Sequence, residues 1–263
     1  MACVTVHVDY TDKIGTLAAD RMALAVKRNP KAYLGMATGS TPKTTLFWDQ
    51  LRQRVSRGEL DLSAATFVNP DEWIGLGSGH SESYKTYLEN ELTKHFPTNI
   101  LVPDGDHTDP VAAAMAVEKE VLQGGGFEWM LLGMGINGHI GFFEPNARGL
   151  PSGPFLPAID EVNRQRYAKD HFGTMEAVPT HATTIGLGTV MRAKELCLCV
   201  VGQPKAKLLA QALQGPVTTS IPASLVQLGA NVKIYLDHAA ASTLDLQLLD
   251  SRPGWEVLLG NKR

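Results

Sequence analysis

Residues 32–43 read AYLGMATGSTPK and carry the pattern from which the fold class is predicted. The first five of these residues form an apolar run that predicts a buried strand, and a helical pattern follows at about residues 43–57. A short loop joins the two, and Pro42 stands near the first helical position. The stretch therefore predicts a strand, a loop and a helix, the unit from which parallel sheets are built.

The same alternation continues along the chain. The predicted strands are residues 4–8, 32–36, 65–68, 100–102, 129–134, 196–201 and 232–236, and predicted helices at 43–57, 82–95 and 205–214 stand between them. Asp109 and Pro110 open another helix, which stops at the glycines of residues 124–126. This order predicts an α/β, doubly wound, Rossmann-like fold with a mainly parallel sheet and helices on both faces.

We expect a single domain over residues 1–263, with a lid-like excursion at about 145–180. Prolines 151, 154, 157 and 179 interrupt that segment, and few apolar residues recur in it. In a parallel sheet of this kind, ligands bind beyond the carboxyl ends of the strands. The loops that follow the strands are therefore where function is expected.

Composition excludes several classes of partner. Lys and Arg total 24 against 27 Asp and Glu, a net charge of -3, so no broad basic field exists for nucleic acid or an anionic membrane. The three cysteines, Cys3, Cys197 and Cys199, show no C-x-x-C spacing, which favours a reducing cytoplasm. No run of 18 apolar residues and no signal-peptide pattern is present. We therefore expect a cytoplasmic protein with a small, locally bound ligand.

The loop after the second strand is a candidate anion site. It contains Thr38, Gly39, Ser40 and Thr41, whose hydroxyl and backbone N–H groups can face a phosphate at the start of a helix. The alternative is an ordinary capped turn. No Walker lysine follows, so the loop is not a P-loop.

Two adjacent carboxylates, Asp71 and Glu72, follow the third strand of the sheet. This position suits a general base. The alternative is that Asp71 caps a turn and Glu72 is solvated.

The loop GMGINGHIGFFEP at residues 133–145 carries the richest polar pattern. It matches G-x-G-x-x-G, but Gly141 and Pro145 oppose the long helix that a dinucleotide site needs, so we do not predict NAD binding. The glycines forbid regular structure and allow His139 to face a substrate, with Glu144 orienting the imidazole and raising its pKa toward neutrality. The alternative is a structural histidine.

Positive charge near the predicted site comes from Arg164, Arg166 and Lys205. A lysine at a helix start opposes the helix dipole, so a functional Lys205 requires a bound anion; otherwise it is a solvated lysine. No zinc-binding pattern is present, and neither a metal nor an organic cofactor is expected. No role is assigned to His80, His107 or His181.

Taken together, these motifs resemble the glucosamine-6-phosphate deaminase/isomerase family. The resemblance spans most of the chain and rests on MATGSTP at 36–42, DEWIGL at 71–76, SESY at 81–84, GINGHIGFFEP at 135–145, TTIGLGT at 183–189 and VGQPKA at 201–206. It implies an isomerase/hydrolase that converts a hexosamine 6-phosphate and water into a ketose 6-phosphate and ammonia. It also implies a small-molecule partner and leaves a homo-oligomer open.

The resemblance also implies the roles of individual residues. Asp71 would move a proton between C1 and C2 of the sugar, His139 would open the ring, and Glu144 would orient His139. Asn137 stands where many members carry Asp, so it can only orient His139 by hydrogen bonds. The substrate phosphate would be held by Thr38, Gly39, Ser40, Thr41, Arg164 and Lys205.

Some features depart from the family pattern. Trp73 and Phe143 stand where many members have Tyr and Asn, and SIPAS at 220–224 looks more like the galactosamine-6-phosphate branch. The hexosamine is therefore left open between glucosamine and galactosamine 6-phosphate. The pattern of basic residues typical of the family is poorly kept between residues 150 and 164, which gives no support for an allosteric site. The alternatives are a 6-phosphogluconolactonase-type hydrolase and a non-catalytic sugar-phosphate sensor.

Overall fold

The computed structural model describes residues 3–77 and 79–260. The strands in these ranges are β1 Val4–Asp9, β2 Tyr33–Met36, β3 Thr66–Val68, β4 Asp71–Trp73, β5 Asn99–Leu101, β6 Phe127–Gly133, β7 Ala182–Thr184, β8 Leu196–Val200, β9 Val232–Asp237 and β10 Trp255–Leu259. The α-helices are α1 Thr11–Arg28, α2 Ser40–Thr44, α3 Phe47–Ser56, α4 Tyr84–Leu88, α5 Pro110–Gln123, α6 Glu161–Tyr167, α7 Leu187–Met191, α8 Ala206–Gln214 and α9 Leu246–Asp250. None of the helices in the described residues combines the length and the apolar composition that a membrane span requires.

Eight of the described strands form one sheet in the order β10-β1-β9-β8-β6-β2-β3-β5. Every neighbouring pair in this sheet is parallel, as in the pairing of Leu34 with Trp129 between β2 and β6. This confirms the α/β fold with a mainly parallel sheet. The remaining strands, β4 and β7, form a small antiparallel ribbon in which Asp71 pairs with Thr184.

Alternate residues of the central strands divide between two apolar layers, because successive side chains of a strand point to opposite faces. In β8, Leu196 and Leu198 belong to a layer that includes buried residues of α5 and α8. Cys197 and Cys199 belong to the other layer, with buried residues of α1 and α3. The predicted helices on both faces of the sheet are thus confirmed.

The predicted helix over residues 43–57 is in fact two helices. Leu46, with a φ of 60°, separates α2 from α3 in a left-handed conformation. The break turns the buried Phe47 and Trp48 into the apolar layer beneath α1. It also lies where Gly15 of α1 passes close to the Thr45 carbonyl, an approach that leaves no space for a Cβ. Packing between α1 and this turn therefore prevails over the continuous helical pattern.

The segment at 145–180 contains a helix that its prolines concealed. Asp160 caps α6 by accepting a hydrogen bond from the Asn163 N–H at 2.8 Å, and a π-helical turn at Ala168–Phe172 follows. Ala168 packs with Trp73 and Phe142 in a third, smaller apolar cluster. This cluster packs the excursion against the loops that contain Trp73 and Phe142. Its role as a lid stays a prediction.

Candidate active site

Loops at the carboxyl ends of four neighbouring strands, β8, β6, β2 and β3, enclose a cavity of about 120 Å³. The sequence-predicted residues that line it are Thr38, Gly39, Ser40, Thr41, Asp71, His139 and Lys205. Asn163, Arg166 and Tyr167 of α6 also line it. Residues far apart in the chain therefore meet where a doubly wound sheet binds ligands.

One end of the cavity is suited to an anion. Gly39, with a φ of 149°, brings residues 38–41 around to the first turn of α2, and Thr38 is fixed by a 3.1 Å hydrogen bond from Asn69 Nδ2 to its Oγ1. Lys205 faces this loop, and its pKa is lowered to about 8, first by burial and then by the positive charge of Arg166. Two cations beside hydroxyl and N–H donors form an environment that an anion would stabilise.

The structure corrects the prediction for Arg164. This residue lies on the far side of α6, where its guanidinium donates to the carbonyl oxygens of Met175 and Val178 at 3.0 and 3.1 Å. It holds the loop that follows α6 and does not line the cavity. Arg166, two residues further along the helix, lines the cavity in its place and pairs with Asp170 at 3.3 Å.

Asp71 and Glu72 face opposite ways, as successive residues of a strand must. Glu72 is buried rather than solvated, and its carboxylate accepts from the N–H groups of Tyr84 and Lys85 and from the Ser83 hydroxyl at 2.8–3.1 Å. It therefore fixes the start of α4. Asp71 alone of the two faces the cavity.

The Asp71 carboxylate is poised for proton transfer. The residue is 2% exposed, and its buried Oδ1 has no hydrogen-bond partner within the described residues. Burial raises its pKa to about 7, while bonds from the Thr184 hydroxyl and the Phe142 N–H partly oppose the shift. Gly141, with a φ of 53°, passes so close that its missing Cβ would lie 2.9 Å from Asp71 Oδ2. A carboxyl group of this kind can both take and return a proton near neutral pH.

His139 is held by an amide rather than directly by a carboxylate. Its Nδ1 lies 2.7 Å from Asn137 Oδ1, whereas Glu144 Oε1 is 3.6 Å away. The Asn137 Nδ2 donates to Glu144 Oε2 at 2.8 Å and to Asp160 Oδ2 at 2.5 Å. These acceptors orient the amide so that Oδ1 faces the ring, which favours the tautomer of His139 with the proton on Nδ1, although Asn163 Nδ2 also lies 3.2 Å from Nδ1. In that tautomer the other ring nitrogen, Nε2, is an acceptor. Glu144 and Asn137 stand behind the ring and do not line the cavity.

The expectation that Glu144 raises the pKa of His139 is wrong. Burial, followed by the charge of Lys205, lowers the pKa of the imidazole to about 4. The Asp160 carboxylate opposes this shift and Arg166 adds to it. Glu144 itself has a pKa raised to about 7, chiefly by burial, with a further contribution from Asp160, so it does not supply a full negative charge near neutrality. The imidazole is therefore neutral near neutral pH.

The contribution of α6 to the site does not follow from the sequence patterns above. Asn163 is buried, and its Nδ2 donates to Glu144 Oε1 at 2.8 Å. The available signal was Asp160 followed by Glu161, an N-cap with an acidic first turn. The unassigned histidines His80, His107 and His181 form local hydrogen bonds with neighbouring residues. Among the described residues, no group of three or more His, Cys, Asp or Glu side chains could hold a metal ion.

Comparisons with known proteins find one matching family and several similar proteins. The family model for glucosamine-6-phosphate isomerases/6-phosphogluconolactonase matches residues 7–235. A glucosamine-6-phosphate deaminase of Arthrobacter sp. (strain FB24) is 37% identical over 94% of this chain and 96% of that protein. A glucosamine-6-phosphate deaminase of Clostridium perfringens (strain 13 / Type A) is 35% identical over 89% of this chain and 96% of that protein.

Two solved structures are similar to this one. The structure of a monomeric glucosamine-6-phosphate deaminase superposes with a TM-score of 0.84 at 32% identity and covers 90% of this chain and 98% of that one. A 6-phosphogluconolactonase from Trypanosoma cruzi reaches a TM-score of 0.71 at 19% identity, over 93% of this chain and 98% of that one, and shares the fold.

Proposed function

Because the chain belongs to the glucosamine-6-phosphate isomerase/6-phosphogluconolactonase family, we propose that it converts a hexosamine 6-phosphate and water into a ketose 6-phosphate and ammonia. The substrate is glucosamine 6-phosphate or galactosamine 6-phosphate. The observation that carries the proposal is Asp71, a buried carboxylate with a free oxygen, in the same cavity as His139 and Lys205. Aldose–ketose isomerisation needs a positioned carboxylate of this kind for proton transfer at carbon.

The substrate phosphate is held by the loop at residues 38–41, with Lys205 and Arg166. Support comes from the hydroxyl and N–H donors of the loop and from the lowered pKa of Lys205, which an incoming dianion would restore. Arg166 replaces Arg164 in this assignment. The anchored phosphate places the sugar ring between His139 and Asp71.

Ring opening is the step of His139. The neutral Nε2 accepts the proton of the anomeric hydroxyl while the C1–O5 bond breaks, and the imidazolium then passes that proton to O5. A low pKa suits this sequence, because the imidazole must begin as a base and release the proton quickly. Asn137 and Glu144 keep Nδ1 protonated throughout and thus position the ring.

Isomerisation is the step of Asp71. Its carboxylate takes the C2 proton of the open aldose, and O1 takes a proton from water, which gives an enediol-type enolamine and a hydroxide ion. Asp71 returns its proton to C1, the hydroxide adds to C2 of the resulting iminium, and the adduct breaks down to the ketose and ammonia. This hydrolysis is the hydrolase part of the reaction. No step requires a metal or an organic cofactor.

We also propose that this activity belongs to the cytoplasm, supported by the three unpaired cysteines. Residues 145–180 would act as a lid in the same proposal, since α6 carries Arg166 and Tyr167 into the cavity wall. A lid that closes over the sugar would exclude water from the ring-opening step.

The experiment is a coupled ammonia assay on glucosamine 6-phosphate and galactosamine 6-phosphate, with and without a chelator. We expect ammonia from at least one of them, at a rate that the chelator does not change. Rapid hydrolysis of 6-phosphogluconolactone, with no ammonia released from either amino sugar, would show that the protein is a lactonase and not a deaminase. Tight binding of the amino sugars without turnover of any of the three compounds would indicate a sensor.

A further inference from the structure

The imidazole of His139 is oriented by a hydrogen-bonded chain that reaches beyond its own loop. His139 Nδ1 contacts Asn137 Oδ1 at 2.7 Å, and Asn137 Nδ2 contacts Asp160 Oδ2 at 2.5 Å. Asp160 is separated from Asn137 by 23 residues and lies at the start of α6. The chain therefore joins the excursion to the loop that carries His139.

Asp160 uses its two oxygens for different tasks. Oδ1 accepts from the Asn163 N–H at 2.8 Å and caps α6, the helix that carries Arg166. Oδ2 receives Asn137 Nδ2, with Asn163 Nδ2 at 3.3 Å. The second contact is not required to cap a helix, so it has to be explained separately.

Asn137 is the residue type that this geometry requires. An amide can accept from the imidazole with its oxygen and donate to two carboxylates, Glu144 and Asp160, with its nitrogen. A carboxylate at position 137 would place three acidic groups within hydrogen-bond distance of one another. Repulsion between their charges would keep the three groups from all being ionised at neutral pH.

We propose that Asp160 is a positioning residue for ring opening: with Glu144, it orients the Asn137 amide and thereby sets the proton of His139 on Nδ1. The inference rests on the proposed function for its effect on turnover. It assigns to residues 145–180 a part in building the ring-opening base as well as in covering the substrate.

The decisive variant is Asp160→Ser. Serine still caps α6, so Arg166 keeps its place, but the short side chain loses the contact with Asn137. We expect kcat for the cyclic hexosamine phosphate to fall about tenfold, with KM little changed. The matched control is Asp109→Ser, which alters the capping Asp of α5, whose side chain accepts from the Ala112 N–H outside the site. This control should keep wild-type kcat.

The pairing is tested by combining variants. Asn137→Asp alone adds a third carboxylate and should also lower kcat about tenfold or more. Asn137→Asp with Asp160→Ser returns the cluster to two carboxylates, one of them now beside His139 Nδ1. We therefore expect the double variant to be more active than either single variant. If the loss of kcat in the double variant equals the product of the losses in the two single variants, the inference is contradicted.

The tautomer of His139 provides a readout that does not depend on turnover. In ¹⁵N NMR, the ring signals that disappear in His139→Gln identify this residue, and the wild type should show protonated Nδ1 and unprotonated Nε2. Asp160→Ser should shift the population toward protonated Nε2, while Asp109→Ser should not. An unchanged tautomer, or a rise in KM with unchanged kcat, would leave Asp160 only as a helix cap and overturn the inference. If the wild type releases no ammonia, the proposed function fails, and the tautomer measurement still decides the role of Asp160.

Discussion

At the scale of single residues, the buried carboxylate of Asp71 reduces the stability of the folded protein. Its pKa rises from 3.8 to about 7 in the folded protein because the carboxylate is buried. The folded state therefore holds a proton that the unfolded chain releases above pH 3.8, so the cost of ionising Asp71 grows as the pH rises toward 7 and is fully present above it.

Asp71→Asn should remove this cost. We expect the variant to melt about 2 °C or more above the wild type at pH 8, with a smaller difference at pH 5. Differential scanning calorimetry at both values checks this. Equal midpoints at pH 8 would mean that the buried carboxylate is compensated by contacts other than those from Thr184 and Phe142.

Lys205 should set the alkaline limb of the pH profile. Its pKa of about 8 means that the proposed phosphate site loses a positive charge as the pH rises through that value. We expect kcat/KM to fall above about pH 8 in the wild type. In Lys205→Arg the fall should move to higher pH, because a guanidinium stays protonated. A limb that remains near pH 8 in this variant would assign it to another group.

At the scale of elements, the loop after β6 depends on close packing between Gly135 and the ring of His139. A Cβ at residue 135 would lie 2.1 Å from His139 Cε1, and the backbone there does not require glycine for a positive φ. Gly153, in the excursion, is a matched control because a Cβ at that residue meets nothing within 4 Å.

Gly135→Ala should therefore displace the imidazole without unfolding the protein. We expect turnover of the cyclic substrate to drop about a hundredfold, in the range of a lost general base, while Gly153→Ala stays near wild type. Steady-state kinetics together with the thermal midpoints of both variants provide the measurement. Full activity in Gly135→Ala would show that His139 is not held by this contact.

Elements with a simple apolar period could be predicted from the sequence, and the others could not. The strand β8 and the helix α5 lie within one or two residues of their predicted bounds, because apolar periodicity and an N-cap decide them. The break at Leu46 depends on contact with α1, which no local pattern contains. The helix α6 presents Asn163 and Arg166 to the site, so its functional face is polar and gives no hydrophobic signal.

At the scale of the whole molecule, the sheet order brings four distant loops to one edge. The alternation of strands and helices predicts the class of fold but not the order of the strands in the sheet. Because ligands bind beyond the carboxyl ends of the strands in this class, it also predicts that residues 38–41, Asp71, His139 and Lys205 lie near one another. Which of two neighbours faces the cavity did not follow. The pleat of β4 points Asp71 into the cavity and Glu72 away from it. In the same way, the turn of α6 points Arg166 into the cavity and Arg164 away from it.

In the proposed mechanism one cavity holds two groups with separate tasks, His139 for ring opening and Asp71 for proton transfer. The most direct measurement is solvent deuterium exchange at C1 of fructose 6-phosphate, alongside ammonia release from the cyclic hexosamine phosphate. His139→Gln should lose turnover of the cyclic substrate yet still exchange the C1 proton, since the keto form is already open. Asp71→Asn should lose both activities by at least about a hundredfold while still binding substrate. Equal loss of both activities in a folded His139→Gln variant, or normal exchange in Asp71→Asn, would contradict the account.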